Sequence, residues 1–352
     1  MTQGKAAVFK GRHDIEVVDK DFREPQGHEV LIRVHYCGVC GTDVHIYEGD
    51  KGSAEVAPPV VLGHEYSGEV VAVGDDVTHV RVGDRVSVDP NVYCGECYWC
   101  RNGRKQLCSN LQAYGVNRDG GFAEYSIVQE AQVYKLPDDV SYQEGAMTEP
   151  TSCCLHGIDL TEIRPGETVM VVGCGNIGLI MIQLAKHAGA ATIIGVDVAD
   201  DHLKLAKEAG ADILINSAQE DTDRILADAG VECVDRVIDC AGLPQTAEYS
   251  VEHAGKGATV MLFGLTKPDD TARIKPFELF QKELTLRSSF VNPDAFDRSL
   301  RLLENGDVEV QSQIKQIIPL EDITRIFEDK LYRAGGKVLV NLEETRQNIK
   351  EG

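Results

Sequence analysis

Apolar and polar positions follow two rhythms along the chain. In the N-terminal part the apolar runs are short and the period is close to two: KAAVFK, DIEVVD and EVLIRVHY within residues 1–36, then GEVVAV and DRVSVDP. That period sends alternate side chains to opposite faces, so these runs read as strands, the first of them as hairpins. Phe122–Gln129 and Gln132–Leu136 continue the pattern. Pro137-Asp138-Asp139 turns the chain, and a helix-like stretch opens with Tyr142–Met147 and includes Glu149-Pro150. From Thr168 the rhythm changes. Strand Thr168–Val172 is followed by a helix to Ala188, strand Thr192–Val196, helix Asp201–Ala209 and strand Asp212–Ile215. A helix near Asp223–Ala229, strand Val234–Asp239, a helix near Gln245–His253 and strand Ala258–Phe263 come next. Uninterrupted β-branched runs spaced by amphipathic ones predict a parallel sheet. The rhythm breaks after Thr285–Phe290, leaving a helix over Phe296–Leu303 and a late strand Gly336–Val340.

The first strand–helix junction carries Gly173-Cys174-Gly175-Asn176-Ile177-Gly178. Gly173 suits a tight turn, Gly175 lets backbone approach a pyrophosphate, and Gly178 lets helix and strand pack closely. The helix N-terminus adds N–H donors for phosphate. Asp197 ends the next strand about 20 residues on, where a carboxylate can bond ribose hydroxyls. A glycine-rich turn alone would lack this strand, helix and acid, so the context predicts a dinucleotide site. Val198, Ala199, Asp200 and Asp201 follow without an arginine to hold a 2′-phosphate, which predicts NAD rather than NADP.

At 352 residues the chain is too long for one ordinary domain, and 43% hydrophobic residues supply a sizeable core. Its longest apolar stretch, Val169–Ala185, is interrupted by glycines, Asn176 and Gln183, so no membrane span is expected. The opening MTQGKAAVFKGRHD has no apolar signal-peptide region, which predicts a cytoplasmic protein. A formal charge of −22 repels nucleic acid and anionic membrane and leaves small molecules as the expected partners.

Cysteine changes the picture most. Cys94, Cys97, Cys100 and Cys108 fall in a Cys-x2-Cys-x2-Cys-x7-Cys pattern. Four thiolates at that spacing suit a closed structural zinc site; a four-iron cluster favours a shorter last gap followed by proline, and disulfides need an exported chain. Cys37 and Cys40 could be a redox or zinc pair, but their flanking glycines suggest a tight loop rather than a helix start. Cys40, His64 and Glu65 together offer a thiolate, an imidazole and a carboxylate, a set that suits zinc with an open position. Cys153, Cys154, Cys174, Cys233 and Cys240, and Cys37 with them, read as buried small apolar residues.

The segments CGVCGTDVHIYEGD, VVLGHEYSGEVVAVG, the cysteine lobe, GVNRDGGFAEY, EGAMTEPTSCCLHG and VVGCGNIGL give the chain, over essentially its whole length, a resemblance to the zinc-containing medium-chain alcohol and polyol dehydrogenases. It is most similar to the sorbitol and arabitol type and close to threonine dehydrogenase. The resemblance implies an α/β protein: a GroES-like, β-rich catalytic domain at 1–152, a Rossmann domain with a doubly wound parallel sheet at 153–287, and a segment 288–352 returning to the catalytic domain. It places Cys40, His64 and Glu65 at a catalytic Zn2+, with Glu149 binding that zinc directly or through its water. Thr42 and His45 match a proton relay, and Cys94, Cys97, Cys100 and Cys108 match a structural Zn2+. Ile177, Asp197, His202 and the turn Phe263-Gly264-Leu265 fall at cofactor-contacting positions, His202 in place of a basic residue often found there. The implied reaction passes a hydride from a secondary alcohol of a polyol or sugar alcohol to NAD, giving a ketose-type product, in a homotetramer or homodimer.

Substrate choice rests on fewer residues. Threonine dehydrogenases usually carry a tryptophan after the IYE segment, where this chain has Gly49-Asp50; its one tryptophan is Trp99. Sorbitol dehydrogenases usually carry an arginine and a tyrosine after a late phenylalanine, where this chain has Phe290-Val291-Asn292-Pro293, as in arabitol-type enzymes. A polyol therefore stands ahead of threonine or another secondary alcohol. A non-catalytic zinc-stabilised nucleotide-binding protein is the alternative of another class; the joint presence of Cys40, His64, Glu65 and Thr42 opposes it.

Overall fold

A computed structural model describes residues 1–332 and 335–343. They form two compact units: Met1–Ser152, Val291–Glu304 and the described residues from Val310 on in one, Cys153–Phe290 with Asn305–Glu309 in the other. Through the first unit run β1 (Thr2–Gly11), β2 (Asp14–Phe22), β3 (Glu29–Gly38), α1 (Gly41–Tyr47), β4 (Val60–Val61), β5 (Glu65–Val73), β6 (Arg85–Val88) and β7 (Asn91–Val92). Then come α2 (Tyr98–Arg101), β8 (Gln112–Ala113), β9 (Tyr125–Gln129), β10 (Val133–Lys135), α3 (Tyr142–Ala146) and α4 (Thr148–Thr161), within which the unit boundary falls. The second unit holds β11 (Thr168–Val172), α5 (Asn176–His187), β12 (Thr192–Asp197), α6 (Asp200–Ala209), β13 (Ile213–Asn216), α7 (Thr222–Asp228), β14 (Arg236–Asp239), α8 (Pro244–His253), β15 (Thr259–Leu262), α9 (Pro276–Lys282) and β16 (Thr285–Ser288). The chain then returns through α10 (Phe296–Glu304), β17 (Ile314–Pro319), α11 (Ile323–Glu328) and β18 (Lys337–Asn341).

In the first unit β1 and β2 form the expected hairpin, with β4 on the other edge of β1. β3 does not extend that hairpin. It joins the larger sheet β10-β6-β5-β3-β18-β17 and also pairs with β9. Its Val30, Leu31 and Ile32 are consecutive and all buried, which a strand covered on both faces requires and which strict alternation would forbid. The core of this unit gathers residues from β1, β3, β5, β6, α1, α11 and β18.

In the second unit the six strands are parallel in the order β13-β12-β11-β14-β15-β16. This is the doubly wound arrangement expected from the sequence. Its direction reverses between β11 and β14, and ligands bind outside the carboxyl ends of the strands at such a reversal. Among the described residues no helix is long and apolar enough to cross a membrane.

A buried polar node ties the returning segment to the first unit. The Asp89 carboxylate accepts from the Asn91 backbone N–H (3.1 Å) and from Asn292 Nδ2 (3.4 Å), while Asn292 Nδ2 also donates to Ser152 Oγ (2.8 Å). Burial raises the Asp89 pKa to about 6 against the pull of these donors. Its folded-state pKa thus lies above the unfolded value, so its share of stability is present below pH ~4 and is lost as pH rises through about 6. Denaturant melts should show the native protein losing roughly 2–3 kcal/mol between pH 4 and pH 7 relative to Asp89→Asn, which cannot ionise. Parallel pH profiles for the two proteins would contradict the assignment.

Candidate functional site

The nucleotide loop folds as its glycines dictate. Gly173 has φ 89°, and a side chain on Gly178 would collide with the Gly173 carbonyl. Gly175 caps α5 and faces open space. These three glycines, with Asn176, Ile177, Asp197, His202, Cys240 and Ala241, line one cavity of about 380 Å³ at the reversal of the sheet. The unpaired N–H groups of the first turn of α5 belong to its wall. Asp197 is braced: Oδ1 accepts from the N–H groups of Val198 (2.7 Å) and Ala199 (2.9 Å), and Oδ2 from that of Cys174 (2.7 Å). His202 Nδ1 lies 3.2 Å from Oδ2, so the imidazole occupies the rim beside the acid. Phe263, Gly264 and Leu265 are not among the residues lining this cavity; Gly264 and Leu265 pack against Gly242, and Leu265 is exposed.

The cysteine lobe brings its four sulfurs together. Cys94 and Cys108 Sγ are 3.5 Å apart, Cys94 and Cys100 4.0 Å, and Cys97 and Cys108 4.0 Å. Tetrahedral zinc with Zn–S ~2.3 Å puts sulfurs ~3.8 Å apart, so one ion fits and a cage of several irons does not. Backbone N–H groups of Cys94, Cys97 and Asn110 donate to these sulfurs at 3.4 Å. Cys97 is drawn down to about 6 by backbone N–H groups, while burial and its sister thiols push Cys100 up to about 12. A divalent cation would draw all four to the thiolate form and close the lobe.

The second group stands at the start of α1, where the sequence suggested a tight loop; this is a correction. Cys40 is the helix N-cap: its Sγ accepts from the Thr42 N–H at 3.5 Å, and the Asp43 carboxylate accepts from the Cys40 N–H at 2.9 Å. A thiol and an aspartate thus make a capping box whose usual members are Ser/Thr and Glu/Gln, and Gly41 in the first turn hides the helix. The pairing of Cys37 with Cys40 does not form. Cys37 is fully buried in β3, and burial pushes its thiol well up.

The ligand atoms of Cys40, His64 and Glu65 lie within 4.8 Å of one another. Burial pushes the His64 imidazole down, but Asp43 and Cys40 outweigh it and hold it well above the ordinary range. The place attracts positive charge, and its sulfur, nitrogen and oxygen donors fit zinc with an open position. Glu149 is buried in the first turn of α4 and is not one of the three; its charge does bear on Lys337. Thr42 and His45 sit on α1 three residues apart, hence on one face. His45 Nδ1 is 3.5 Å from Asp50 Oδ2 and the ring is partly exposed.

Two residues escaped the sequence reading. Asp43 is fully buried; besides capping Cys40, its Oδ1 accepts from the Gly63 N–H (3.4 Å) and lies 3.3 Å from His64 Nδ1, outside hydrogen-bond geometry. It braces both ligand loops, and an acid three residues after Cys40 was the available signal. Lys337, at the start of β18, forms a buried ion pair with Glu65. Burial pushes its ammonium down, but Glu65, Cys40 and Glu149 raise it further, so it stays charged. Cys153, Cys233 and Cys240 are only half-buried, unlike Cys154 and Cys174; Cys240 ends on the nucleotide cavity because β14 pairs with β11.

Comparison with known proteins shows the family. Residues 26–138 match the alcohol dehydrogenase GroES-like domain and residues 176–305 the zinc-binding dehydrogenase family. The chain is 33% identical over 356 residues to D-arabitol-phosphate dehydrogenase of Enterococcus avium, covering 99% of each. It is 32% identical over 330 residues to sorbitol dehydrogenase of Bacillus subtilis (strain 168), covering 93% of each. A solved structure from Sinorhizobium meliloti 1021, described as a zinc-binding dehydrogenase bound to NADP, superposes with a TM-score of 0.91 at 36% identity, covering 97% of this chain and 100% of that one. With both domains matched and relatives aligned over nearly the whole length, the chain is a member of the zinc-dependent medium-chain alcohol and polyol dehydrogenase family, an oxidoreductase family.

Proposed function

We propose that this protein oxidises a secondary alcohol of a polyol or sugar alcohol with NAD, giving a ketose-type product. The observation that carries this reading is the convergence of Cys40, His64 and Glu65 at the head of the helix that bears Thr42 and His45. When bound, zinc supplies a Lewis acid for the alcohol oxygen and the nicotinamide supplies a hydride acceptor. Cys40, His64 and Glu65 would hold the metal, with Glu149 buried nearby. Asp43 fixes the Cys40 and His64 loops. The Thr42 hydroxyl takes the alcohol proton, and His45, one helical turn on, accepts it at the surface. The four lobe cysteines hold a second zinc that stiffens the lobe and has no chemical step. D-Arabitol-phosphate dehydrogenase and sorbitol dehydrogenase, as similar proteins, support a polyol substrate. The test is NADH formation at 340 nm over polyols, polyol phosphates and threonine. Turnover confined to threonine would replace the polyol reading.

The choice of NAD rests on this chain's own Asp197, since the similar Sinorhizobium structure holds NADP. Asp197 stands on the cavity wall with Asp200 and Asp201 just beyond it, and a 2′-phosphate there meets fixed negative charge. The expected result is a kcat/KM for NAD about 10²-fold above that for NADP, on the order of 3 kcal/mol of discrimination. Asp197→Ala should narrow that ratio. The ratio is the proper readout, because Asp197 also braces the loop and its loss weakens both cofactors. Equal efficiency with both cofactors in the unmodified protein would refute the assignment.

A further inference from the structure

Glu65, Gly38 and Lys337 stand on three neighbouring strands. Gly38 of β3 lies opposite Glu65 of β5 on one side and opposite Leu339 of β18 on the other. Lys337, the first residue of β18, is 5% exposed, a burial that a lysine tolerates only when its charge is met. Its Nζ donates to Glu65 Oε2, and Glu65 is 1% exposed. The contact passes over Gly38: a side chain there would collide with Glu65 Oε2 and come 2.9 Å from Lys337 Cε. The missing side chain at position 38 is what lets the pair form. Glu65 is also one of the three residues whose ligand atoms converge with those of Cys40 and His64. One carboxylate therefore answers to two positive charges, a permanent ammonium and a metal.

We propose that Lys337 is the positioning residue of the Cys40–His64–Glu65 site, holding Glu65 Oε2 and thereby limiting how strongly that carboxylate binds the metal. The proposal rests on reading those three residues as the metal ligands. The ammonium occupies one of the carboxylate's oxygens and offsets its charge, so Glu65 has less to offer a metal. Outer partners of metal ligands usually strengthen binding by ~10–100-fold; a cation that holds one oxygen of the ligating carboxylate should act on a similar scale with the opposite sign. A metal held loosely by its carboxylate keeps a position open for substrate, as a catalytic site needs and the thiolate lobe does not.

Release of zinc from the purified full-length protein to a chromogenic chelator tests this, with the absorption spectrum of the cobalt-substituted protein as a second readout. Lys337→Met keeps the aliphatic stem and removes the charge. It should slow release of the more labile zinc by ~10-fold or more and shift the cobalt bands, leaving release from the lobe unchanged. In a Glu65→Gln background the same substitution should have no further effect. Lys337→Arg should act in the opposite direction, because a guanidinium can engage both carboxylate oxygens and so speeds release. It carries the test if Lys337→Met does not fold. Unchanged release in a folded Lys337→Met or in Lys337→Arg overturns the proposal, as does an effect that persists without the Glu65 charge. A protein whose only zinc sits in the lobe overturns the ligand assignment itself, and that outcome is seen in the unmodified protein before any Lys337 variant is made.

Discussion

Cys40→Ser is expected to abolish alcohol oxidation and to lower the metal content from about two zinc ions per chain to about one, with the fold intact. Serine is a good N-cap, so its hydroxyl can replace the thiol at the head of α1 and the helix should survive. What it lacks is a thiolate for the metal. Lewis-acid stabilisation is worth several kcal/mol, and ~4 kcal/mol corresponds to ~10³-fold in rate. The lobe should keep its ion, because Cys94, Cys97, Cys100 and Cys108 close a tetrahedral shell that does not involve Cys40. In the unmodified protein a chelator should strip the Cys40–His64–Glu65 site first and end activity before the circular-dichroism spectrum changes. Metal analysis that finds two zinc ions in Cys40→Ser, or iron in place of zinc, would sink the assignment of the two sites.

The metal groups could be read from the sequence because their chemistry demands rare residue types at short spacing. The lobe is one local pattern, and His64 and Glu65 are adjacent. The parallel sheet could be read because strands buried on both faces leave uninterrupted apolar runs, as in Val169–Val172. The same logic failed for β3, whose alternating look concealed a central strand pairing with β5, β9 and β18. The start of α1 was hidden because the cap is a thiol and the first turn contains a glycine, so local propensity argued for a loop. Lys337 could not have been found by any local pattern. Its partner lies 272 residues earlier, and only the placement of β18 beside β3 brings the two together. Long-range strand pairing also decides that Cys240 opens on the nucleotide cavity while Cys174, in the glycine loop itself, is buried.

His45→Ala is expected to slow alcohol oxidation by ~10²–10⁴-fold, the usual worth of general-base assistance, with zinc content and NAD binding near normal. The helical start of α1 gives this expectation its geometry. Thr42 follows Cys40 by two residues, its N–H held by the Cys40 sulfur, so its position is fixed by the candidate metal ligand itself. His45 comes one turn later on the same face, where side chains three residues apart are neighbours. Its ring is partly exposed, with Asp50 Oδ2 3.5 Å from Nδ1, so a proton received there can reach water. An imidazole exchanges protons near neutral pH, whereas at higher pH hydroxide can take over the same task. The deficit of His45→Ala should therefore be largest near neutral pH and shrink as pH rises, a profile that a merely structural histidine would not produce. Thr42→Val should be at least as damaging at every pH, because it removes the first acceptor while nearly keeping the side-chain shape. Full activity of His45→Ala across the pH range, with zinc and NAD bound, would remove His45 from the proton path. Glu65, itself one of the three candidate ligands, and Glu149, buried and with its charge bearing on Lys337, would then be the carboxylates to replace next.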